Sequence, residues 1–208
     1  MKNLNANLYF LSTYIFLLCL ASPRLNAQED ALKTAPSTTE EFVAALKKSA
    51  LLMRLQDKSK TIAVLKEKGL IKQAEELAQM QHQENREILL SFAKTFDFCP
   101  VYFFYAKDSE AIRNGDLGGV IFDANLKLIP LSINQFFTAE FAETPDLGID
   151  GLIIRDKRLL ALDNDLPFFE RRFVFFNLKE RSKAEIVEAY NKRMHDYSNF
   201  YQSKKKVN

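Results

Sequence analysis

Cys99 is the residue whose chemistry would matter most, because the thiolate of a free cysteine is a nucleophile and a redox group. A thiolate forms when a helix N-terminus, a cation or a histidine lowers the pKa of the thiol. Cys99 instead follows a predicted helix and has Asp97 nearby, and both features oppose ionisation. We therefore expect a buried cysteine that packs as a small apolar side chain. The alternative is a thiol-dependent enzyme or redox sensor.

The two histidines, His82 and His195, both fall on predicted helices. Neither has an acidic residue, a cysteine or another histidine three or four positions away. The sequence therefore lacks a two-ligand helical metal motif such as His-Glu-x-x-His. We expect both side chains to be solvated or locally hydrogen-bonded.

Asp163 and Asp165 are the candidates for a metal site, since Asp163-Asn164-Asp165 offers clustered oxygen ligands. The segment lacks the glycine and the terminal glutamate of an EF-hand loop. Such a cluster beside Pro167 more commonly forms a turn through bonds from side chain to backbone. We predict this turn, with no metal and no cofactor.

Four arginines are candidates for binding an anion: Arg155, Arg158, Arg171 and Arg172. They occur in two charge-rich stretches that would line a site if they lay on adjacent strands. The alternative is a solvated sheet edge, whose charges discourage pairing with another chain. Phosphate-binding motifs give no support, because residues 115–119 carry glycines but lead into a predicted strand rather than a helix. A P-loop lysine motif and a Gly-x-Ser-x-Gly elbow do not occur in the sequence.

A helical region precedes the aromatic run that contains Cys99. A capping box at Thr38 and Glu41 predicts a helix that continues to about Gln56, and a second helical segment covers 59–68. The longest helical pattern covers 70–96, and its inward face turns polar in the middle. We predict three helical segments arranged as a hairpin. The polar middle is expected to project beyond the core or to pack weakly, where it would serve a partner.

Strand patterns begin after residue 98. Two continuous apolar runs, 101–105 and 173–176, are typical of strands covered on both faces, so we place them at the centre of the sheet. Further strands are predicted at 119–122, 126–131, 133–143, 152–155 and 158–162. A second capping box, Ser182 with Glu185, begins the last helix. The prediction is an α+β fold: the N-terminal helical hairpin, a mostly antiparallel sheet of five or six strands, and a C-terminal helix.

Residues 1–27 are typical of a secretory signal peptide, with Lys2 before an apolar run and Leu25-Asn26-Ala27 as the cleavage site. The apolar run is short for a transmembrane helix. Cys19 lacks the small preceding residues of a lipoprotein site. We predict an exported protein, periplasmic or secreted, with no lipid anchor and no membrane span after cleavage.

The predicted domain organisation is a flexible leader at 28–37, one domain at 38–203 with a helical part (38–97) and a sheet with closing helix (98–203), and a basic tail at 204–208. Loss of Lys2 and Arg24 with the signal peptide reduces the 29 basic residues to 27, equal to the 27 acidic residues. A neutral mature chain argues against nucleic acid as a partner.

Leu-Lys-Glu-Lys-Gly at 65–69 and Phe-Cys-Pro-Val-Tyr-Phe-Phe-Tyr at 98–105 resemble a group of small exported proteins from Bacteroidetes-type bacteria. The resemblance covers most of the mature chain and implies export and a single domain, but no activity. We expect a non-enzymatic binding or interaction module whose partner is a protein or a small molecule. The alternatives are the thiol-dependent protein using Cys99 and a structural subunit that forms a homo-oligomer through its N-terminal helices.

Overall fold

The computed structural model describes residues 36–144, 148–174 and 179–207, and a compact unit spans Ser37–Asn208. The predicted signal peptide and nearly all of the predicted leader lie outside the described residues. Among the helices that are described, none is both long and apolar enough to cross a membrane.

The chain forms α1 (Thr39–Lys48), β1 (Ala50–Leu55), α2 (Ser59–Glu67), α3 (Ile71–Thr95), β2 (Val101–Tyr105), α4 (Ser109–Asn114), β3 (Phe136–Glu143), β4 (Asp150–Arg155), β5 (Phe169–Arg171), β6 (Phe173–Val174), β7 (Lys179–Glu180) and α5 (Lys183–Val207). A short 3-10 turn, Ala106–Asp108, joins β2 to α4. The α+β class is confirmed, as are the helices α2, α3 and α5 and the strands β3 and β4.

The main sheet has five strands in the order β2-β1-β3-β4-β5. β1 pairs in parallel with both β2 and β3, whereas the β3–β4 and β4–β5 pairs are antiparallel. β6 and β7 form a separate antiparallel pair. The sheet is therefore mixed, which corrects the expectation of a mostly antiparallel sheet. Its parallel pairs are possible because α2–α3 and α4 supply the long crossover connections that parallel strands need.

The largest correction concerns β1. The first helix, predicted to continue to Gln56, ends at Lys48, and Ser49 adopts an extended conformation with φ −106° and ψ −170°. Residues 50–53 and Leu55 are at most 4% exposed, so the segment is buried on both faces. Nearly every position in such a segment is apolar, and it satisfies a helical spacing as readily as a strand pattern. The N-terminal helical hairpin is consequently only α2 and α3, and α1 is separated from it by a strand.

The two aromatic runs do not lie at the centre of the sheet as expected, because the middle strand is β3 and the strand buried on both faces is β1, between β2 and β3. β2, the run at 101–105, is an edge strand whose outer side makes one bridge, from Phe103 to Phe122, within the described chain. Phe173 and Val174 belong to the small β6–β7 pair, and Phe173 is 43% exposed. The rest of the run predicted at 173–176 lies outside the described residues. Aromatic content favours a strand but does not specify its neighbours.

Three of the shorter predicted strands form isolated bridges instead of ladders. The segments 119–122 and 126–131 meet through Phe122 and Leu128, and 158–162 meets β4 through Ala161. Gly119 has φ +73°, a left-handed conformation that turns the chain out of an extended path. These segments contribute apolar side chains to the core rather than strands to the sheet.

Two apolar clusters cover the two faces of the sheet. On the first face, Leu51, Met53 and Leu55 of β1 pack with buried side chains of α1, α3 and α5. On the second face, Leu52 packs with Phe104 and with residues of α4 and the segment after it. The alternation of side chains along β1 thus supplies both halves of the core.

Candidate functional site

Cys99 lies in the first apolar cluster and is 7% exposed. Burial raises the pKa of its thiol to about 12, a shift that the neighbouring Leu51 backbone N–H only partly opposes. The thiol is therefore protonated at neutral pH and lacks the nucleophilic form that thiol chemistry needs. This geometry supports a packing role.

His195 contacts Asp97, a pairing that the spacing of the sequence does not reveal. Asn191 Nδ2 donates to Asp97 Oδ1 at 2.9 Å, and His195 Nε2 lies 2.7 Å from the same oxygen. These hydrogen bonds hold the pKa of Asp97 below its ordinary value. Asn191 Oδ1 also accepts the backbone N–H groups of Asp97 and Phe98. The group attaches α5 to the segment between α3 and β2, while His82 is exposed on α3.

Asp163 forms the predicted turn. Its Oδ1 accepts the backbone N–H of Asp165 at 3.1 Å, and its carbonyl accepts the N–H of Leu166 at 3.1 Å. Nowhere in the described parts of the chain do three or more histidine, cysteine, aspartate or glutamate side chains form a group that could hold a metal ion.

The structure does not bring the four candidate arginines together. Arg171 pairs with Gly151 in the β4–β5 register, and Arg155 lies four residues further along β4, which is about 13 Å in a strand. Arg155, Arg158 and Arg172 each lie beside a different carboxylate. Arg155 Nε lies 2.6 Å from Glu140, Arg158 Nε lies 3.8 Å from Asp156, and Arg172 Nε lies 3.1 Å from Asp150.

Arg54 and Glu140 form an ion-pair cluster with Arg155 that the sequence analysis missed. Glu140 Oε2 accepts from Arg54 at 2.8 Å and Oε1 from Arg155 at 2.6 Å. The cluster lies near the carboxyl end of β1 and in the middle of β3. Two guanidiniums bind one carboxylate, so the cluster joins β1, β3 and β4.

A cleft of about 330 Å³ opens beside the first residues of β4. It is lined by Gly148, Ile149, Asp150, Arg171, Arg172, Phe173 and Glu180. Two of the four candidate arginines, Arg171 and Arg172, therefore line the same cleft. The other lining residues had no signal in the sequence, because the cleft forms only where β4, β5, β6 and β7 meet.

Arg172 is held firmly in the wall of this cleft. Its guanidinium lies between Asp150, at 3.1 Å, and Glu180, at 3.0 Å. Its backbone N–H donates to the carbonyl of Asp150 at 2.8 Å, and its carbonyl accepts the N–H of Arg181 at 3.0 Å. Gly151 contributes to the same geometry, because a Cβ there would overlap the Glu170 carbonyl of β5. The backbone of β4 and β5 thus fixes where the charged groups lie.

The α2–α3 hairpin has a largely exposed surface, which is the second candidate for binding after the cleft. α2 contains no buried residue. Val64, Leu70, Ile71 and Met80 are between 41% and 54% exposed. Large exposed apolar side chains that occur together often mark an interaction surface.

Most residues in the polar middle of α3 are exposed, in keeping with weak packing there, but Asn85 and Gln81 contact the chain that follows β1. Asn85 is 6% exposed, and its side-chain amide makes two bonds of 2.9 Å to the backbone N–H and carbonyl of Gln56. Gln81 accepts the backbone N–H of Lys58. These polar side chains form hydrogen bonds with the backbone of Gln56 and Lys58, just after β1. Apolar side chains at these positions would leave those backbone groups without a side-chain partner.

Comparisons with protein-family models, with curated proteins and with solved structures give no match for this chain. What the protein binds is therefore inferred from the geometry of its own residues.

Proposed function

We propose that this protein is an exported binding module whose ligand is a small molecule held in the cleft beside β4. The proposal depends chiefly on one observation, the position of two acidic residues and two arginines around a mainly apolar cleft of about 330 Å³. Sites for small molecules commonly have volumes of about 300–1,000 Å³ and combine apolar walls with a few fixed polar groups. Export rests on the signal peptide expected at residues 1–27.

The charges of the lining indicate the chemistry of the ligand. Asp150 and Glu180 balance Arg171 and Arg172, so the formal charge of the lining is zero. A simple anion or a simple cation would meet a group of like charge beside its partner. A ligand with both an ammonium and a carboxylate group can place each against an opposite charge. We therefore propose a zwitterion as the ligand.

Ile149 and Phe173 supply the apolar part of the lining, and Phe173 is 43% exposed. An apolar side chain of the ligand would remove part of this surface from water. An amino acid with a large apolar side chain, or the end of a short peptide, has this combination of groups. Because Arg172 is already fixed by two carboxylates, little side-chain freedom would be lost on binding.

Cys99 gives weaker support to the alternative of a thiol-dependent enzyme or redox sensor. Its thiol lies in the apolar cluster and has a raised pKa, and it is not part of the lining of the cleft. Thiol chemistry would require both access and ionisation.

The ligand is tested by thermal unfolding with L-phenylalanine or L-leucine, compared with acetate and with isobutylamine, which carry single charges. A ligand at 100 times its Kd stabilises the folded state by about 2.7 kcal/mol. For a domain of this size, this corresponds to a rise in Tm on the order of 5 °C. We expect the zwitterions to raise Tm and the singly charged compounds to have little effect.

Glu180→Gln should reduce this rise, because it removes one carboxylate of the lining while Glu180 is 65% exposed and contributes little to the core. Glu188→Gln is the matched control, since Glu188 is also exposed but lies on α5 outside the lining. Equal rises in Tm for wild type and Glu180→Gln, or no rise with either amino acid, would contradict the proposed function.

A further inference from the structure

The tip of the α2–α3 hairpin, residues 64–72, combines exposed aliphatic side chains with lysines. Val64, Leu70 and Ile71 are 45%, 41% and 49% exposed. Lys66, Lys68 and Lys72 lie in the same short segment. Gly69 makes this tight arrangement possible, because its φ of +73° ends α2 and directs the chain into α3. The tip therefore presents apolar and cationic groups over a short length of chain.

The positive charge of this region is only partly compensated, since Lys58 Nζ lies 3.4 Å from Glu84. Residues 58–72 contain five lysines and one glutamate, a formal charge of +4. Lys66 and Lys68 make no ion pair with any described residue. The nearest carboxylate to Lys72 is Glu76, at 3.9 Å, and the Lys72 side chain is 90% exposed. Such an exposed pair is weak.

The base of the hairpin is attached to the rest of the fold by polar contacts, whereas residues 66–72 at its tip are all exposed. Asn85 and Gln81 bind the backbone at Gln56 and Lys58, and Lys58 Nζ lies 3.4 Å from Glu84. α2 packs on α3 and buries none of its own residues. The tip can therefore enter another surface without breaking a contact of the core.

We propose that the tip of the hairpin binds an anionic lipid surface. Aliphatic side chains enter the boundary between headgroups and acyl chains, and lysines are attracted to anionic headgroups. This inference goes beyond the ligand proposed for the cleft and does not depend on it.

The composition of the tip favours lipid over a protein partner. The cores of protein interfaces are enriched in tryptophan, tyrosine and arginine and depleted in lysine. The tip has three lysines and none of the three enriched residue types. A second copy of the chain fits poorly as well, because a two-fold contact between tips would place two segments of formal charge +2 against each other. Anionic lipid complements both the charge and the aliphatic groups.

The binding is expected to be weak and reversible. Each lysine near an anionic membrane contributes about a fivefold increase in affinity. A few aliphatic side chains add a modest apolar contribution, well short of a spanning helix. Affinity should fall with added salt, because salt screens exposed charges.

The test is vesicle flotation of the chain without residues 1–27, which retains the compact unit Ser37–Asn208. Vesicles of equal parts phosphatidylglycerol and phosphatidylcholine are compared with vesicles of phosphatidylcholine alone. We expect flotation with the anionic vesicles only, and a loss of flotation in high salt.

Two pairs of variants locate the surface. Leu70→Ser with Ile71→Ser should abolish flotation, whereas Leu90→Ser should not, although Leu90 is 58% exposed on α3. Lys68→Glu should lower vesicle affinity by more than fivefold, whereas Lys192→Glu, an exposed position on α5, should have a smaller effect. Circular dichroism of each variant confirms that it is folded.

The proposal is overturned if anionic vesicles fail to float the folded wild type, or if the double serine variant floats as well as wild type. It is also overturned if the folded protein forms a dimer without lipid and the double serine variant converts it to a monomer. That last result would assign the tip to a second copy of the chain.

Discussion

The side chain of Asn85 attaches α3 to the chain that follows β1. It lies in the middle of α3, where the helical pattern loses its apolar face, and it binds both backbone groups of Gln56. Each such hydrogen bond contributes about 0.5–1.5 kcal/mol to the stability of the folded state.

We predict that Asn85→Ala lowers the free energy of unfolding by about 1–3 kcal/mol, since two part-buried hydrogen bonds to the backbone of Gln56 are lost. The measurement is urea unfolding followed by circular dichroism. Gln79→Ala is the matched control, because Gln79 is an exposed amide on the same helix, and its effect should stay within about 0.5 kcal/mol. Equal stabilities for the two variants would show that the Gln56 contact is unimportant.

Local sequence predicted several of the individual side chains. Cys99 was expected to be buried because of its aromatic neighbours, and Asp163 was expected to form a turn because of its own chemistry. The Asp97–His195 contact joins residues 98 positions apart, and the Arg54–Glu140 pair joins residues 86 positions apart. Such pairs depend on strand register and helix placement, and a single sequence does not specify either.

At the scale of elements, β1 is the case in which the sequence was most misleading. A run that is apolar at almost every position satisfies both helical and strand patterns. Because the segment of β1 was assigned to a helix, the two aromatic runs at 101–105 and 173–176 were expected at the centre of the sheet. By contrast, the capping box of α5 and the glycine after α2 predicted their helix ends correctly, because caps involve only neighbouring residues.

The burial of β1 on both faces predicts which apolar residues matter for stability. Leu52 is fully buried, and Leu52→Ala should lower the free energy of unfolding by about 2–5 kcal/mol. Phe173 is 43% exposed on the small β6–β7 pair, so Phe173→Ala should cost less than about 1 kcal/mol. Chemical denaturation measures both. A larger loss of stability for Phe173→Ala than for Leu52→Ala would contradict this account of the core.

The capping box that begins α5 predicts a pH dependence. Glu185 binds Lys179 Nζ at 2.8 Å and the backbone N–H of Ser182 at 2.8 Å. These contacts lower the pKa of Glu185 from 4.5 to about 2. A carboxylate with a lowered pKa in the folded state stabilises the fold above its unfolded pKa, and this stabilisation is lost as pH falls through the folded pKa.

Glu185→Gln should therefore lower Tm at pH 7, and the difference from wild type should shrink as the pH falls from 4.5 towards 2. Thermal unfolding at pH 7, 4 and 3 measures this difference. Glu188→Gln, which changes an exposed glutamate on the same helix, should show no such trend. A constant difference at all three pH values would exclude the proposed role of ionised Glu185.

At the scale of the whole molecule, the sequence predicted the α+β class but not the order of the strands. Parallel pairing of β1 with β2 and β3 depends on crossovers through α2–α3 and α4, and composition does not encode their direction. The cleft could not be predicted for the same reason. Its charged residues come from β4, β5, β7 and the connection between β5 and β6, whose meeting depends on the completed sheet.

The net charge of the chain does not show how its charged residues are distributed. The mature chain is expected to be neutral, which argues against a partner that binds through overall charge. Residues 58–72 nevertheless have a formal charge of +4, and the cleft has two charges of each sign. The arrangement of charge, rather than its sum, is what the two proposals use.

The ligand cleft is the central claim, and chemical-shift mapping tests it most directly. Backbone amide spectra of the ¹⁵N-labelled protein are recorded while L-phenylalanine is added. We predict progressive shifts at residues 148–150, 171–173 and 180, which line the cleft, and none at the exposed control position Lys192. Shifts that cluster elsewhere, or spectra that stay unchanged at saturating amino acid, would contradict the proposal.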